Sequence, residues 1–427
     1  RRLRTPIRQR ITHTPGATVF HMITVVTNGS VLDSRSLEYS GEGDVVVEDG
    51  IIRQVGGRHT GTADVTIDAR GKYVMPGLID AHVHFRLATM NFARMTSWTE
   101  VEFGIAMARL ARETVERGFT TVRDLGGDTQ GLRRAITSGM VVGPRILAAG
   151  QMLTQTGGHG DTRGGDLHAP QCACEMPGTV FGLVCDGVDA VIKGARHLLR
   201  NGSDFLKVHV SGGVASPADP IDGVQYTHEE IRAAVTEAAH RHTYVAAHAY
   251  NPDSITMAVE SGVRTIEHAN LIDAGAASVI ASHDAFMVPT LVTYSAMNEM
   301  GPSLGLPRRN IEKNAAILEA GLRSLEIALS AGVTLGFGTD LIGETQSFQN
   351  RELAIRAEVQ PARDVLHSVW NVNATIIGME GVVGVLAEGA HGDIVVSHVD
   401  PLSDITAFSM ERQSVSHVIQ GGLPIRY

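Results

Sequence analysis

Short runs of alternating apolar and polar residues open the chain, and their spacing lengthens after about residue 75. Between Ile23 and Val74 the runs ITVVTNG, DVVVEDG, IIRQVGG, DVTIDARG and KYVMPG are of strand length and are separated by turn residues. EDG at 48–50, set between β-branched runs, predicts a tight hairpin. The same texture returns in GDIVVSHVDPL at 392–402 and VSHVIQGGLPIRY at 415–427. Between these ends, compact apolar runs alternate with longer amphipathic stretches. The candidate strands are GLIDAHVHF, TTVRDL, RILAAG, FLKVHVSGG, YVAAHAY, TIEHAN, MVPTLV and TLGFGTD. The intervening stretches read as helices; in THEEIRAAVTEAAHRH, Thr227 and Glu230 form a capping box. Eight strand–helix units predict an α/β fold, a (β/α)8 TIM barrel, whereas a doubly wound sheet would normally use fewer strands. The expected division is a barrel over 75–385 and a small β-sandwich domain formed by the N- and C-terminal segments, 22–74 and 386–427.

Length supports two bodies, since 427 residues exceed what one growing core normally accommodates. The formal charge of −10, with no long basic run, argues against a nucleic-acid partner. No apolar stretch is long enough to span a membrane. Cys172, Cys174 and Cys185 are too few and too clustered for a disulfide framework, which favours a reducing, cytoplasmic setting. The Cys172-x-Cys174 pair lacks the second ligand pair a further metal site would need. Residues 1–21 carry five arginines and no acidic residue, without a signal-like apolar core. They read as an upstream extension, with an arm packing on a partner subunit as the alternative. A Gly-rich polar connection from about Thr154 to Asp189 is longer than a linker needs and is placed to cover a barrel mouth.

The chemistry-bearing residues fall at strand ends. His82 and His84 alternate on one strand, so both imidazoles face the same side. Lys207 interrupts an apolar strand, where an unpaired ammonium is costly. His248, His268 and Asp340 end later strands. Each alone is more often a satisfied buried group than a ligand, but six ligand-type residues at successive strand ends are hard to place there by chance. His159, Arg123 and Tyr250 sit at strand ends facing the same cavity and are the candidate substrate contacts, with an ion pair to Asp124 or Asp128 as the other reading of Arg123. His209 and His228 read as supporting or surface groups.

VMPGLIDAHVH, GFTTVRDLGG, TQTGGHGD, GSDFLKVHVSGGVASPADP, VAAHAY, TIEHAN and FGTDL together resemble the binuclear amidohydrolases, in the branch of imidazolonepropionase-like proteins and prolidase-like dipeptidases. The tail AEGAHGDIVVSHVDPLSDI resembles that family's return into its small β-domain, so the likeness runs from about Met22 to the end. It implies two divalent ions, zinc before cobalt or manganese. His82, His84 and Asp340 would hold one and His248 and His268 the other, bridged by Lys207 carboxylated with CO2. It further implies a bridging hydroxide as nucleophile, with Asp340 moving the proton to the leaving nitrogen. His159 and Tyr250 would contact a substrate carboxylate. The implied activity is cleavage of the amide bond of a dipeptide or N-acyl amino acid, ochratoxin A included. Hydrolysis of cyclic amides, ureas or carbamates is the second reading and an inactive binding scaffold the third. A small-molecule amide and, in a homo-oligomer, further copies of the chain are the expected partners. One departure stands out: IGETQSFQNREL after Asp340 contains no histidine where many relatives carry one, which bears on the leaving-group pocket.

Overall fold

The computed structural model describes residues 21–95, 97–161, 181–216 and 219–426. The expectation for 1–21 therefore lies almost entirely outside the described residues, as do Cys172, Cys174 and the middle of the 154–189 connection. The chain divides into two compact units, one comprising the residues up to Ile79, Thr114–Thr121 and Gln360–Tyr427, the other Asp80–Glu113 and Val122–Val359.

The first unit is built on an eight-stranded mixed sheet. Ile23–Asp33 pairs antiparallel with Glu38–Glu48, which pairs in turn with Ile51–Val55. The turn between the last two has Asp49 and Gly50 both at positive φ (50° and 81°), as the EDG signal requires of a tight hairpin. Tyr73–Pro76 joins parallel to Ile23–Asp33, and the C-terminal strands Ile394–Ser397, Val415–Gln420 and Leu423–Arg426 extend the sheet antiparallel. Val26, Val45, Val47, Ile52, Val74, Ile394, Val396 and Ile419 form its core, which is the alternation of the opening runs expressed as burial. The unit boundary falls at residue 360, not near 385 as the alternation suggested. The helical turns within 362–376 bury Trp370 and hydrogen-bond into this unit: Trp370 Nε1 donates to Pro76 O (3.2 Å), Asn371 Nδ2 to Ser34 O (2.7 Å) and Asn373 Nδ2 to Ile79 O (2.7 Å).

The predicted barrel strands all form, in the predicted order: Leu78–Val83, Phe119–Asp124, Arg145–Ala148 continuing through Met152–Thr154, Leu206–His209, Val245–Ala249, Thr265–His268, Phe286–Val288 and Thr334–Leu335. Strands four to eight pair parallel in sequence. The ring closes where the chain after strand eight meets strand one, through Ala81 N to Phe337 O (2.9 Å) and Asp340 N to His82 O (2.8 Å). Every residue of strands one, two, four, five and six is buried, which explains why they read as continuous apolar runs rather than alternating ones. The capping box at Thr227 is present and starts the helix His228–His240. After the undescribed stretch, Gly182–Val184 adds a further parallel strand beside Met152–Thr154.

Candidate metal centre

The C-terminal ends of the barrel strands bring the ligand-type residues to one place. His82 and His84 leave strand one on the same face, and their Nε2 atoms lie 3.3 Å apart. Asp340 Oδ1 approaches both, at 3.3 Å from His82 Nε2 and 3.2 Å from His84 Nε2. Asp340 reaches this point on a left-handed backbone (φ 51°), and so does His268 (φ 74°), a conformation that costs a side-chain-bearing residue energy. Ligand atoms of His82, His268 and Asp340 lie within 4.8 Å of one another, close enough to share one cation.

Each imidazole has one nitrogen occupied by a protein group, and that fixes which nitrogen remains. His82 Nδ1 donates to Glu267 Oε2 (2.9 Å), and His84 Nδ1 faces Gly126 O at 3.4 Å. His248 Nε2 donates to Gly212 O (2.9 Å), and His268 Nδ1 pairs with Thr290 Oγ1 (2.8 Å). This is the arrangement by which metal-binding histidines are oriented: one nitrogen tied outward, the other offered to the ion. Burial alone would raise the Asp340 carboxyl, but the imidazoles of His82, His84 and His268 outweigh it and hold it well below the usual carboxylate range. Asp340 is therefore an anion in neutral solution.

Lys207 supplies the strongest sign that something is to be bound here. Its Nζ is buried and has no hydrogen-bond partner among the described residues. Burial pushes its ammonium down to about 8, against the pull of Glu267 and Asp340. A buried, unpartnered amine whose proton is held less firmly than usual, facing carboxylates and imidazoles, fits a site completed by cations and by modification of that amine.

Arg123 does not face the cavity. Its guanidinium is fully buried and donates to Glu267 Oε1 (2.8 Å), Thr265 Oγ1 (3.1 Å) and Ala81 O (2.6 Å). The ion-pair reading was right in kind, with Glu267 as the partner in place of Asp124 or Asp128. Glu267 itself escaped the sequence reading, although an acidic residue inside the apolar run TIEHAN is the same anomaly that marked Lys207. It ties His82 to Arg123, and although burial opposes it, Arg123 and His82 hold its carboxyl far below its usual range.

A cavity of about 480 Å³ opens above these groups. His82, His84, Lys207, His248, His268 and Asp340 line one part; Leu87, Met95, Phe103, Met152, Phe181 and Met297 line an apolar part. His159 and Tyr250 both face it. The His159 ring stacks on His248, centroids 4.3 Å apart, and its Nδ1 lies 2.8 Å from Ser216 Oγ, leaving Nε2 for a ligand. Burial pushes His159 down to about 4, so it meets a ligand as a neutral imidazole rather than a cation. Two lining residues were not anticipated as such. His209 alternates with Lys207 and so shares its face, a signal the spacing contained. Tyr294, in the helix Leu291–Leu304, looks in sequence like any buried aromatic; its hydroxyl lies 2.9 Å from that of Tyr250. His228 starts a surface helix and pairs with Ser261 (3.0 Å), away from the cavity.

Known proteins resemble this chain in sequence and fold over most of its length. The amidohydrolase family model matches residues 73–423. Ochratoxinase from Aspergillus niger is 30% identical over 363 residues, covering 82% of this chain and 75% of that one. A prolidase solved with N-methylphosphonate-L-proline superposes with a TM-score of 0.90 at 42% identity, covering 95% of this chain and all of that one (100%). A Xaa-Pro dipeptidase with methionine bound in its active site gives a TM-score of 0.85 at 28% identity, over 94% of this chain and 99% of that one. Barrel, strand-end cluster and family match agree: the chain belongs to the amidohydrolase family and is a hydrolase acting on amide bonds.

Proposed function

We propose that the chain cleaves the amide bond of a dipeptide or N-acyl amino acid that ends in a free carboxylate, with two divalent ions held by His82, His84, Asp340, His248, His268 and a carboxylated Lys207. The observation that carries this reading is the cavity's division of labour. Groups able to hold cations lie at one end, two neutral hydrogen-bonding side chains, His159 and Tyr250, stand beside them, and the remaining wall is apolar. The prolidase and dipeptidase relatives, named for substrates of this type, support the choice.

Divalent ions at such a site supply Lewis acidity and lower the pKa of water. The chain's own residues do the rest. Asp340, anionic and beside His82 and His84, accepts the proton of the attacking water and delivers it to the leaving nitrogen as the C–N bond breaks. His159 Nε2 and the Tyr250 hydroxyl hold the terminal carboxylate. The apolar wall receives the rest of the substrate and excludes water, which strengthens every polar contact inside. Zinc is the first choice of ion for a histidine-rich set, with cobalt or manganese next. The neutral Lys207 amine would add to CO2 with release of one proton, and the resulting carbamate would supply anionic oxygens to help hold the ions.

A screen of N-acyl amino acids and dipeptides against cyclic amides, ureas and carbamates tests the reading. Turnover of the first class, with loss on amidation of the carboxylate, is expected; ochratoxin A is a specific member to include, given the ochratoxinase relative. Turnover confined to cyclic amides, ureas or carbamates would overturn it.

A further inference from the structure

A cation from a neighbouring helix sits inside a loop of the cavity wall. The segment after strand four leaves the barrel at Ser211 and returns at Val224, where the two residues form an isolated antiparallel bridge. The Lys313 ammonium, from the helix Arg308–Ser330, donates to three backbone carbonyls of that segment: Gly213 O (2.9 Å), Ser216 O (3.3 Å) and Asp219 O (2.7 Å). Asp219 Oδ1 faces the ammonium at 3.9 Å, and Asp219 Oδ2 accepts from Gly213 N (2.9 Å) and Gln225 Nε2 (3.3 Å). On the same helix, Asn310 Nδ2 donates to Val214 O (2.5 Å). Val214, Ala215 and Ser216 line the cavity, whereas Lys313 does not.

His159 rests on this wall. Its backbone N–H donates to Gln225 Oε1 (3.0 Å), and its Nδ1 lies 2.8 Å from Ser216 Oγ. The ring lies so close to Gly213 that a Cβ there would come within 2.1 Å of ring carbon Cε1, which explains the second glycine of VSGGVASPADP. Ser216 has one hydroxyl proton and two acceptors within reach, Gly213 O at 3.1 Å and His159 Nδ1 at 2.8 Å. Lys313 already satisfies Gly213 O, which frees that proton for Nδ1. The imidazole then carries its own proton on Nε2, the nitrogen left for a ligand, and a carboxylate needs a donor there.

We infer that Lys313 is a positioning residue for carboxylate recognition: its ammonium gathers the carbonyls of Gly213, Ser216 and Asp219 around itself and so builds the seat that holds His159 with its Nε2–H toward the substrate. The inference rests on the carboxylate contact proposed above. It assigns the cavity wall a dependence on a residue that touches neither substrate nor ion. An ammonium suits the task because three carbonyls converge on one point, and no neutral side chain offers three donors. The Asp219 carboxylate offsets its charge, so the wall is drawn together without presenting a cation to the cavity.

The test measures binding of L-proline and L-prolinamide to the metal-loaded protein by calorimetry. His159→Ala should weaken L-proline about tenfold or more, the loss of one bond to a charged group. Lys313→Ala should approach the same loss, Ser216→Ala should cost about three- to tenfold, and neither should change L-prolinamide. n-Propylammonium, which replaces the atoms that Lys313→Ala removes, should restore L-proline affinity to that variant, where sodium at equal ionic strength does not. Adding Lys313→Ala to His159→Ala should change nothing further, because both act through one ring. Full L-proline affinity in Lys313→Ala and Ser216→Ala, alongside a loss in His159→Ala, overturns the seat and leaves the carboxylate contact standing. A loss in Lys313→Ala that falls equally on L-prolinamide and survives n-propylammonium overturns the seat as well. No loss in His159→Ala, or no L-proline binding by the wild type, overturns the contact and the inference with it.

Discussion

Lys207 occupies a position that would be unfavourable for an ammonium without a partner from outside the chain, whereas Asp340 is held as an anion by the imidazoles beside it. The Lys207 amine is buried without a hydrogen bond and pushed down to about 8, poor conditions for an ammonium and good ones for a nucleophile toward CO2. Lys207→Ala is expected to bind metal weakly and to be inactive, with formate or acetate restoring part of the activity by filling the vacated space. Intact-protein mass spectra under mild conditions should show the added mass of one CO2 on the wild type only. Asp340→Asn should keep most of the metal but lose turnover by about two to four orders of magnitude, the usual worth of a positioned acid–base group; metal analysis and kcat on the same preparation check both halves. Substituting His159 should raise KM for substrates ending in a carboxylate far more than for their amides, and equal effects would refute the contact. These residues were legible because an ionisable group inside an apolar strand contradicts its surroundings. Arg123 shows the limit of that signal. Its burial could be read, but the anion that neutralises it lies on a strand 144 residues away, and no spacing rule names it.

At the scale of elements, the Arg123–Glu267 pair ties the second barrel strand to the sixth, and through His82 it also ties both to the first. Removing one charge would strand the other in a fully buried position. Arg123→Met should therefore destabilise the protein by about 3–5 kcal/mol. Adding Glu267→Leu should recover a substantial part of that loss while weakening metal binding, because His82 then loses the acceptor that orients it. Denaturant midpoints and metal affinities of the two variants separate these effects. The strand sequence of the barrel was readable because strands buried on both faces become short apolar runs, and the connecting helices change the period. The end of the barrel was not. Residues 362–376 have a helical pattern like their predecessors, and only Trp370, Asn371 and Asn373 bonding to Pro76, Ser34 and Ile79 assign them to the other unit.

For the whole molecule, metal binding at the candidate centre would be thermodynamically linked to the fold. About two divalent ions per chain are expected by elemental analysis, and chelation should abolish activity and lower the melting temperature. At free metal one hundred times the dissociation constant, each site adds about 2.7 kcal/mol of stability. That linkage meets the backbone at His268 and Asp340, both held at positive φ at the ends of strands six and eight. Left-handed backbone costs a residue with a Cβ about 1–3 kcal/mol, and glycine avoids most of it. Without metal, Asp340→Gly should therefore melt above Asp340→Ala, the reverse of the usual ranking of glycine and alanine. In the absence of metal, selection for durability alone would thus favour changes at these two positions that end catalysis. Attempts to toughen the protein by random mutation and heat screening under chelation should keep returning inert survivors altered there, unless every survivor is also required to turn over substrate once metal is restored.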